Sequence, residues 1–290
     1  MIRTLCFAII LTVSLKKSFN PRANFPYPDI TDQHYLEVLK DDGTIFDKDY
    51  PYIDNSRVFR FKRWWVRFLL YIIVFPFSCV RMGLKIRGKK NIRRNKKLLK
   101  QGALSIANHI NMWDYIAVMN AIKPFRPYLL AWQKNISGES GPLVRLVGGI
   151  PIPEHDPQAT VAYLDTIKHL LDNGGWLHIY PEGSMWEYYR YIRPFKKGVA
   201  HLARMTHKPV VPMAFSYRKA GWIRRKLFKQ PAKINLCIGE PIFINEDLSP
   251  QEQEIDLLKR CHKAVEDLAG FFEGENPYEP IFNGDKRVDY

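Results

Sequence analysis

Acidic side chains, cysteines and long apolar runs are all scarce in this 290-residue sequence, and each shortage excludes a class of protein. Only four cysteines occur, at positions 6, 79, 237 and 261, with no pair at metal-ligand spacing. A cysteine-built zinc site is therefore not expected, and scattered thiols suit a reducing compartment better than a disulfide scaffold does. Asp and Glu number 29 against 44 Lys and Arg, which leaves a formal charge of +15. So basic a chain favours anionic partners: nucleic acid, acidic lipid headgroups or phosphorylated substrates. Apolar content of 46% with 25% charged residues excludes both wholesale disorder and a polytopic membrane protein. The length suits one large catalytic domain with an extension, or two small domains.

Two mainly apolar stretches bear on the membrane. Leu5 to Leu15 has the length of a signal-peptide core, but Lys16 and Lys17 follow where small residues would mark a cleavage site. A short anchoring helix, or a start codon placed too far upstream, fits it better than a working secretory signal. Phe68 to Val80 spans thirteen residues, has Arg67 before it and is interrupted by Pro76. That is too short to cross a hydrocarbon core of about 30 Å. Trp64 and Trp65 stand at one end, and residues 81–100 at the other carry ten Lys or Arg and no acidic residue. An aromatic belt at one end and a cationic clamp at the other predict a half-inserted, interfacial or re-entrant helix on an anionic membrane surface.

Residues 20–55 are rich in Pro, Asp, Tyr and Asn without clear periodicity, and read as an extended linker or wrapping arm. Beyond Lys100 short apolar strands alternate with helical stretches, as in an α/β domain. Strands are expected near 103–107, 128–132, 176–180, 210–217 and 234–238, with a short extended piece at 150–153. Helices are expected near 113–122, 160–171, 199–205 and 250–272. The domains expected are an N-terminal extension over 1–57, the apolar helical segment over 58–84, and a catalytic domain over 85–290. The fold class expected is α/β, a mixed, largely parallel sheet flanked by helices, preceded by a membrane-associated helical segment.

Asn108-His109-Ile110-Asn111-Met112-Trp113-Asp114 directly follows the first of the strands after Lys100. It sets an imidazole at a strand end and a carboxylate five residues on, near the start of a helix. Asp114 is then placed to hold one ring nitrogen of His109 and leave the other to take a proton. No serine or cysteine adjoins the pair, so the nucleophile is expected to be the substrate's own hydroxyl. Tyr180-Pro181-Glu182-Gly183-Ser184 lies at a second strand end, with a stiff corner at Pro181 and a flexible, closely approachable backbone at Gly183. Arg193-Pro194-Phe195-Lys196-Lys197-Gly198 then brings three cations just before a helix start, a cradle for phosphate or a solvated loop.

Over residues 85–245 these segments resemble the phospholipid/glycerol acyltransferase family. Its blocks occur in order: His-x4-Asp at His109 and Asp114, Gly-Ile-Pro-Ile at 149–152, Pro-Glu-Gly-Ser at 181–184, and Val211-Pro212. The resemblance implies acyl transfer from a thioester, acyl-CoA or acyl-carrier protein, to a lyso-glycerolipid hydroxyl, foremost 1-acylglycerol-3-phosphate. In that reaction His109 is the base and Asp114 its partner. Glu182, Gly183, Ser184, Lys134, Arg193 and Lys196 would form the acceptor site, with backbone N–H groups near Gly183 or the helix after His109 holding the oxyanion. Neither metal nor bound organic cofactor is implied, and the expected place is the cytoplasmic face of a membrane, peripheral or monotopic.

The second block departs from the family in ending on Pro153, where an arginine usually reads the acceptor's phosphate. Arg145, Arg193, Lys196 or Lys134 would have to substitute, or the acceptor is another lyso-lipid, ornithine-type or lysophospholipid. Trp222 to Lys229 interleaves basic and apolar residues as a second interfacial candidate. A metal-dependent hydrolase using His109, Asp114 and Glu182 is the rival from another class, but His109 has no second histidine at His-x3-His spacing. Nucleic acid is not expected as a partner, because no recognisable motif accompanies the charge.

Overall fold

The computed structural model describes residues 42–189, 191–222, 226 and 232–270. The Leu5–Leu15 run, Cys6, the first part of the arm and most of the Trp222–Lys229 stretch lie outside them. The described chain begins with the arm, residues 42–56, which forms neither helix nor strand and lies against the flank of the domain. Arg145 holds it there, donating to the carbonyls of Pro51 and Tyr52 at 2.7 Å each.

The first helix, α1 (Arg57–Met82), is continuous through Pro76, where an interruption was expected. Residues Leu70–Val74 form a π-helical turn just ahead of the proline, and the Phe75 N–H reaches back to the Leu70 carbonyl. The wider turn accommodates a residue that cannot donate, so the helix continues at the cost of one irregular turn. At 26 residues α1 is long and apolar enough, by length and composition, to cross a membrane, which the thirteen-residue reading did not allow. Yet 39% of its most apolar stretch is buried against the rest of the molecule.

Seven strands follow: β1 (Lys85–Arg87), β2 (Ala103–Ile106), β3 (Pro127–Ala131), β4 (Gly149–Pro151), β5 (Trp176–Ile179), β6 (Val210–Lys219) and β7 (Ala232–Ile238). They form one sheet in the order β1-β7-β6-β2-β5-β3-β4. Among the described residues only the β6–β7 strand pair is antiparallel, which is the mixed, largely parallel sheet expected. Interleaved are α2 (Lys89–Arg94), α3 (Lys96–Leu99), α4 (Asp114–Ala121), α5 (Gln133–Ser137), α6 (Gly141–Val147), α7 (Pro157–Asp172), α8 (Gly198–Thr206) and α9 (Pro250–Ala269).

Alternation along the strands builds a core on each face of the sheet. Ala103, Trp176, Met213 and Leu236 pack with α1 and α4 on one side. Leu104, Ile106, Leu177 and Ala214 pack with α7, α8 and α9 on the other. Helix α9 contributes Leu257, Cys261 and Val265, four residues apart on one stripe and all fully buried. Burying an aliphatic side chain of this size is worth about 1.5–3 kcal/mol. A capping box between Ser249 and Glu252, with Pro250 in the first turn, starts that helix.

The connections after β2 and β5 leave toward opposite faces, α4 into the first core and α8 into the second. These strands are neighbours in parallel register, Ile106 opposite Ile179. A crevice therefore opens beyond their carboxyl ends, the usual ligand position in an open α/β sheet.

Candidate active site

Two strand ends meet in that crevice. His109 stands three residues past β2, and Tyr180 follows β5 at once. Asn108 pins the first loop to β6, accepting from the Phe215 N–H at 2.7 Å and donating back to the Phe215 carbonyl at 3.1 Å. The loop then curls over Asp114, the first residue of α4. One carboxylate oxygen, Oδ2, accepts from His109 Nδ1 at 3.1 Å, from Ile110 N–H at 2.7 Å and from Asn111 N–H at 2.9 Å. The other oxygen, Oδ1, is buried without a hydrogen-bond partner.

Asp114 is fully buried while the His109 side chain keeps 24% of its surface. Burial raises the Asp114 carboxyl above its ordinary range, and the hydrogen bond and charge of His109, with the two loop N–H groups, oppose that rise. An aspartate held this way fixes the imidazole with Nδ1 as donor, leaving Nε2 to accept a proton. The spacing read in the sequence thus becomes a hydrogen-bonded imidazole–carboxylate pair.

The Pro-Glu-Gly-Ser turn lies against this loop, but its polar side chains point inward. Glu182 is 2% exposed; its Oε2 accepts from the His109 backbone N–H at 3.0 Å and from Arg193 Nη2 at 2.8 Å, and its Oε1 from Arg193 N–H at 2.9 Å. Arg193 is equally buried, donates to Ser184 Oγ at 2.6 Å and to the Ser184 carbonyl, and lies 4.5 Å from the Trp186 ring centre. Glu182, Ser184 and Arg193 therefore form a buried clamp that fastens the turn to the His109 loop; they do not offer polar groups to an acceptor. The sequence could not show this, because a buried ion pair and a solvated charged loop look alike in one dimension.

Gly183 is the accessible member of the turn. Its φ of +80° suits glycine, and a Cβ there would lie 2.7 Å from Lys196 Cε. Lys196 thus lies over Gly183, with its backbone N–H donating to the Pro181 carbonyl at 2.8 Å. Lys134, exposed in α5 at the carboxyl end of β3, holds its ammonium 5.2 Å from the Trp132 ring centre. Arg145 is committed to the arm and is no substitute for the missing arginine. The backbone donors expected for the oxyanion are also engaged: Gly183 N–H bonds the Tyr180 carbonyl at 3.1 Å, and Ile110 and Asn111 bond Asp114.

Three neighbours went unassigned in the sequence. The Tyr180 ring lies flat against the His109 imidazole, centres 3.9 Å apart and planes 9° from parallel. Behind it, His178 is buried, and its Nδ1 lies 2.9 Å from Ser105 Oγ, which also accepts from Trp176 Nε1 at 2.8 Å. Burial, and secondarily the charge of His109, drive its pKa down to about 3, so it is neutral. Glu187 meets Asn111 Nδ2 at 3.3 Å; burial and the nearby Asp114 push its pKa up to about 7 against the pull of Arg81. Among the described residues no group of three or more His, Cys, Asp or Glu is arranged to hold a metal, and both Glu182 oxygens are already taken.

The site thus joins an imidazole held by a buried aspartate to a glycine turn overlain by a lysine. Residues 83–216 match the family model described as Acyltransferase. The chain is similar to that family over this stretch, just under half of its length. A 1-acyl-sn-glycerol-3-phosphate acyltransferase of Cocos nucifera is 25% identical over 191 residues, which are 61% of this chain and 61% of that protein. The match thus spans less than two thirds of the Cocos protein's length. Proteins of the same name are 24% identical over 218 residues in Limnanthes douglasii (68% and 74% of the two chains) and 25% over 164 residues in Bacillus subtilis (56% and 75%). The crystal structure of the 1-acyl-sn-glycerophosphate acyltransferase of Thermotoga maritima superposes with a TM-score of 0.50 at 18% identity, covering 77% of this chain and 86% of that one. The chain therefore shares that fold.

Proposed function

We propose that this protein transfers a fatty acyl group from a thioester, acyl-CoA or acyl-carrier protein, to the free hydroxyl of 1-acylglycerol-3-phosphate, giving phosphatidic acid. The observation that carries the reading is the His109–Asp114 pair, in a domain whose relatives bear that activity's name. His109 Nε2 takes the hydroxyl proton as the oxygen attacks the thioester carbonyl, and a carbon–oxygen bond forms. Asp114 stabilises the imidazolium. The tetrahedral oxyanion then collapses, the carbon–sulfur bond breaks, and the thiolate takes the proton from Nε2. Lys196, beside Gly183, supplies positive charge to the acceptor side. The chemistry needs no metal.

The reaction is proposed to occur at the cytoplasmic face of a membrane. Helix α1 exposes Val58, Phe61, Trp65, Phe68, Ile72 and Val80, which recur mostly at spacings of three or four as one apolar stripe, while Val66, Leu70 and Met82 face the domain. Its last turn brings Arg81 to 5.5 Å from the Trp113 ring in the catalytic loop. A helix seated in the interface plane by this stripe would hold the crevice at headgroup level.

The test is thioester consumption by wild type and His109→Ala with lysophosphatidic acid in anionic vesicles, acyl-CoA and acyl-carrier protein being supplied separately. Loss of activity in the variant supports the mechanism and names the donor. Activity equal in both proteins sinks it. One observation favours a second acceptor, a lyso-lipid without a terminal phosphate: Pro153 replaces the usual arginine, and Arg145 and Arg193 are both engaged elsewhere. Competition by glycerol phosphate separates the two acceptors, since only a phosphate-reading site is inhibited.

A further inference from the structure

The geometry around His109 points beyond its carboxylate partner. We propose that Tyr180 is a positioning residue for the base, its ring face holding the His109 imidazole in plane and stabilising the imidazolium that forms in the reaction. The inference rests on the acyl-transfer reading above and adds a group to it.

Topology dictates the contact. Strands β2 and β5 run in parallel register to Ile106 and Ile179, and Ala107 N–H still bonds the Ile179 carbonyl at 3.3 Å. The residues just beyond the two strands are thereby delivered face to face. The 3.9 Å separation and 9° angle present the π face of the phenol to the imidazole, not its edge. An aromatic face carries negative partial charge, so it attracts a neutral imidazole weakly and an imidazolium more strongly. The interaction therefore grows as the proton arrives, which is the condition for lowering a barrier without tightening ground-state binding.

The hydroxyl of Tyr180 plays no part in this. It is buried without a hydrogen-bond partner, and burial, with Asp114 and Tyr115 nearby, raises its pKa well above the ordinary value, so it is no proton carrier at neutral pH. The ring is held from behind by His178, edge-on at 4.6 Å and 87°. Being neutral, His178 adds no second positive charge beneath the stack.

The test is a ring series at position 180: Tyr180→Phe, phenylalanines of rising fluorination at the same site, and Tyr180→Leu. Each is assayed for kcat and KM with lysophosphatidic acid and acyl-CoA in anionic vesicles, with wild type and His109→Ala alongside. Fluorination drains the ring face of charge while nearly preserving its shape. The expected result is Tyr180→Phe within about threefold of wild type, kcat falling stepwise to about tenfold lower for the pentafluoro ring and for Tyr180→Leu, and KM unchanged. Wild type active, His109→Ala inactive and kcat flat across the fluorinated series overturns the role of Tyr180 and leaves the acyl-transfer reading standing. Wild type inactive, or His109→Ala active, overturns that reading, and this inference falls with it.

Discussion

Arg193 and Glu182 show how much of the candidate site is scaffolding. Their ion pair, 2.8 Å long with both side chains 2% exposed, fixes the backbone of His109 through Glu182 Oε2. Removing one partner of such a pair strands a buried charge and costs about 3–5 kcal/mol. Arg193→Met is therefore expected to lower stability by that amount in urea unfolding, and Glu182→Gln with Arg193→Met to cost less than the sum of the single changes. Additive losses would mean that the pair is not coupled. Glu187 makes a different prediction. Its raised pKa means the folded protein binds this proton more tightly than the unfolded chain does. The stabilisation is fully present below the ordinary glutamate pKa and is lost as pH rises through about 7. Glu187→Gln keeps an acceptor for Asn111 and removes the titration. Between pH 5 and 8 the wild type should lose stability relative to this variant; parallel melting curves across that window would discount the buried carboxyl.

At the scale of elements, β2, β5 and the loops after them were legible because each strand is a short buried run followed directly by chemistry-bearing residues. Strand β1 and helices α2 and α3 were not. Between Lys85 and Lys100 only a few residues, such as Ile92 and Leu99, are buried among many cations, too few to set a period, and β1 is a strand only because β7 lies beside it. Helix α1 was half legible: its composition announced an apolar helix, but Pro76 read as a break because the π turn that absorbs it has no signature in residue type. The exposed stripe of α1 carries its own prediction. Replacing Phe61, Trp65 and Phe68 by Ser removes apolar surface that faces away from the domain, so the melting temperature should hold. Vesicle sedimentation should fall by roughly two orders of magnitude, since each large side chain withdrawn from water is worth about 1.5–3 kcal/mol when fully buried and less at an interface. Unfolding of the variant, with binding per folded molecule unchanged, would instead assign the stripe to the protein's own core.

For the whole molecule, the charge of +15 is unevenly spread in a way that bears on the proposed membrane seat. The ten cations of residues 81–100 sit at the carboxyl end of α1 and along the β1 edge of the sheet, where Lys85, Arg87, Lys89, Lys90, Arg93 and Arg94 are exposed. Apolar insertion by α1 is nearly indifferent to salt, whereas attraction to anionic headgroups is screened, the Debye length shrinking from about 10 Å at 0.1 M to about 3 Å at 1 M. Each basic side chain near such a surface contributes about 1 kcal/mol. Two terms acting at opposite ends of one helix should then separate experimentally. Affinity for anionic vesicles is expected to fall by roughly 10²–10³ between 0.1 and 1 M salt, as about three or four such contacts are screened. Affinity for zwitterionic vesicles should be lower at the outset and barely change. Reversing Lys89, Lys90, Arg93 and Arg94 to Glu should reproduce the high-salt behaviour at low salt, because these side chains lie on the short helix α2 and its exposed surface, away from both cores. Salt-insensitive binding to anionic vesicles would leave the apolar stripe as the sole anchor and return the basic cluster to another anionic partner, the phosphates of the thioester donor being the next to test.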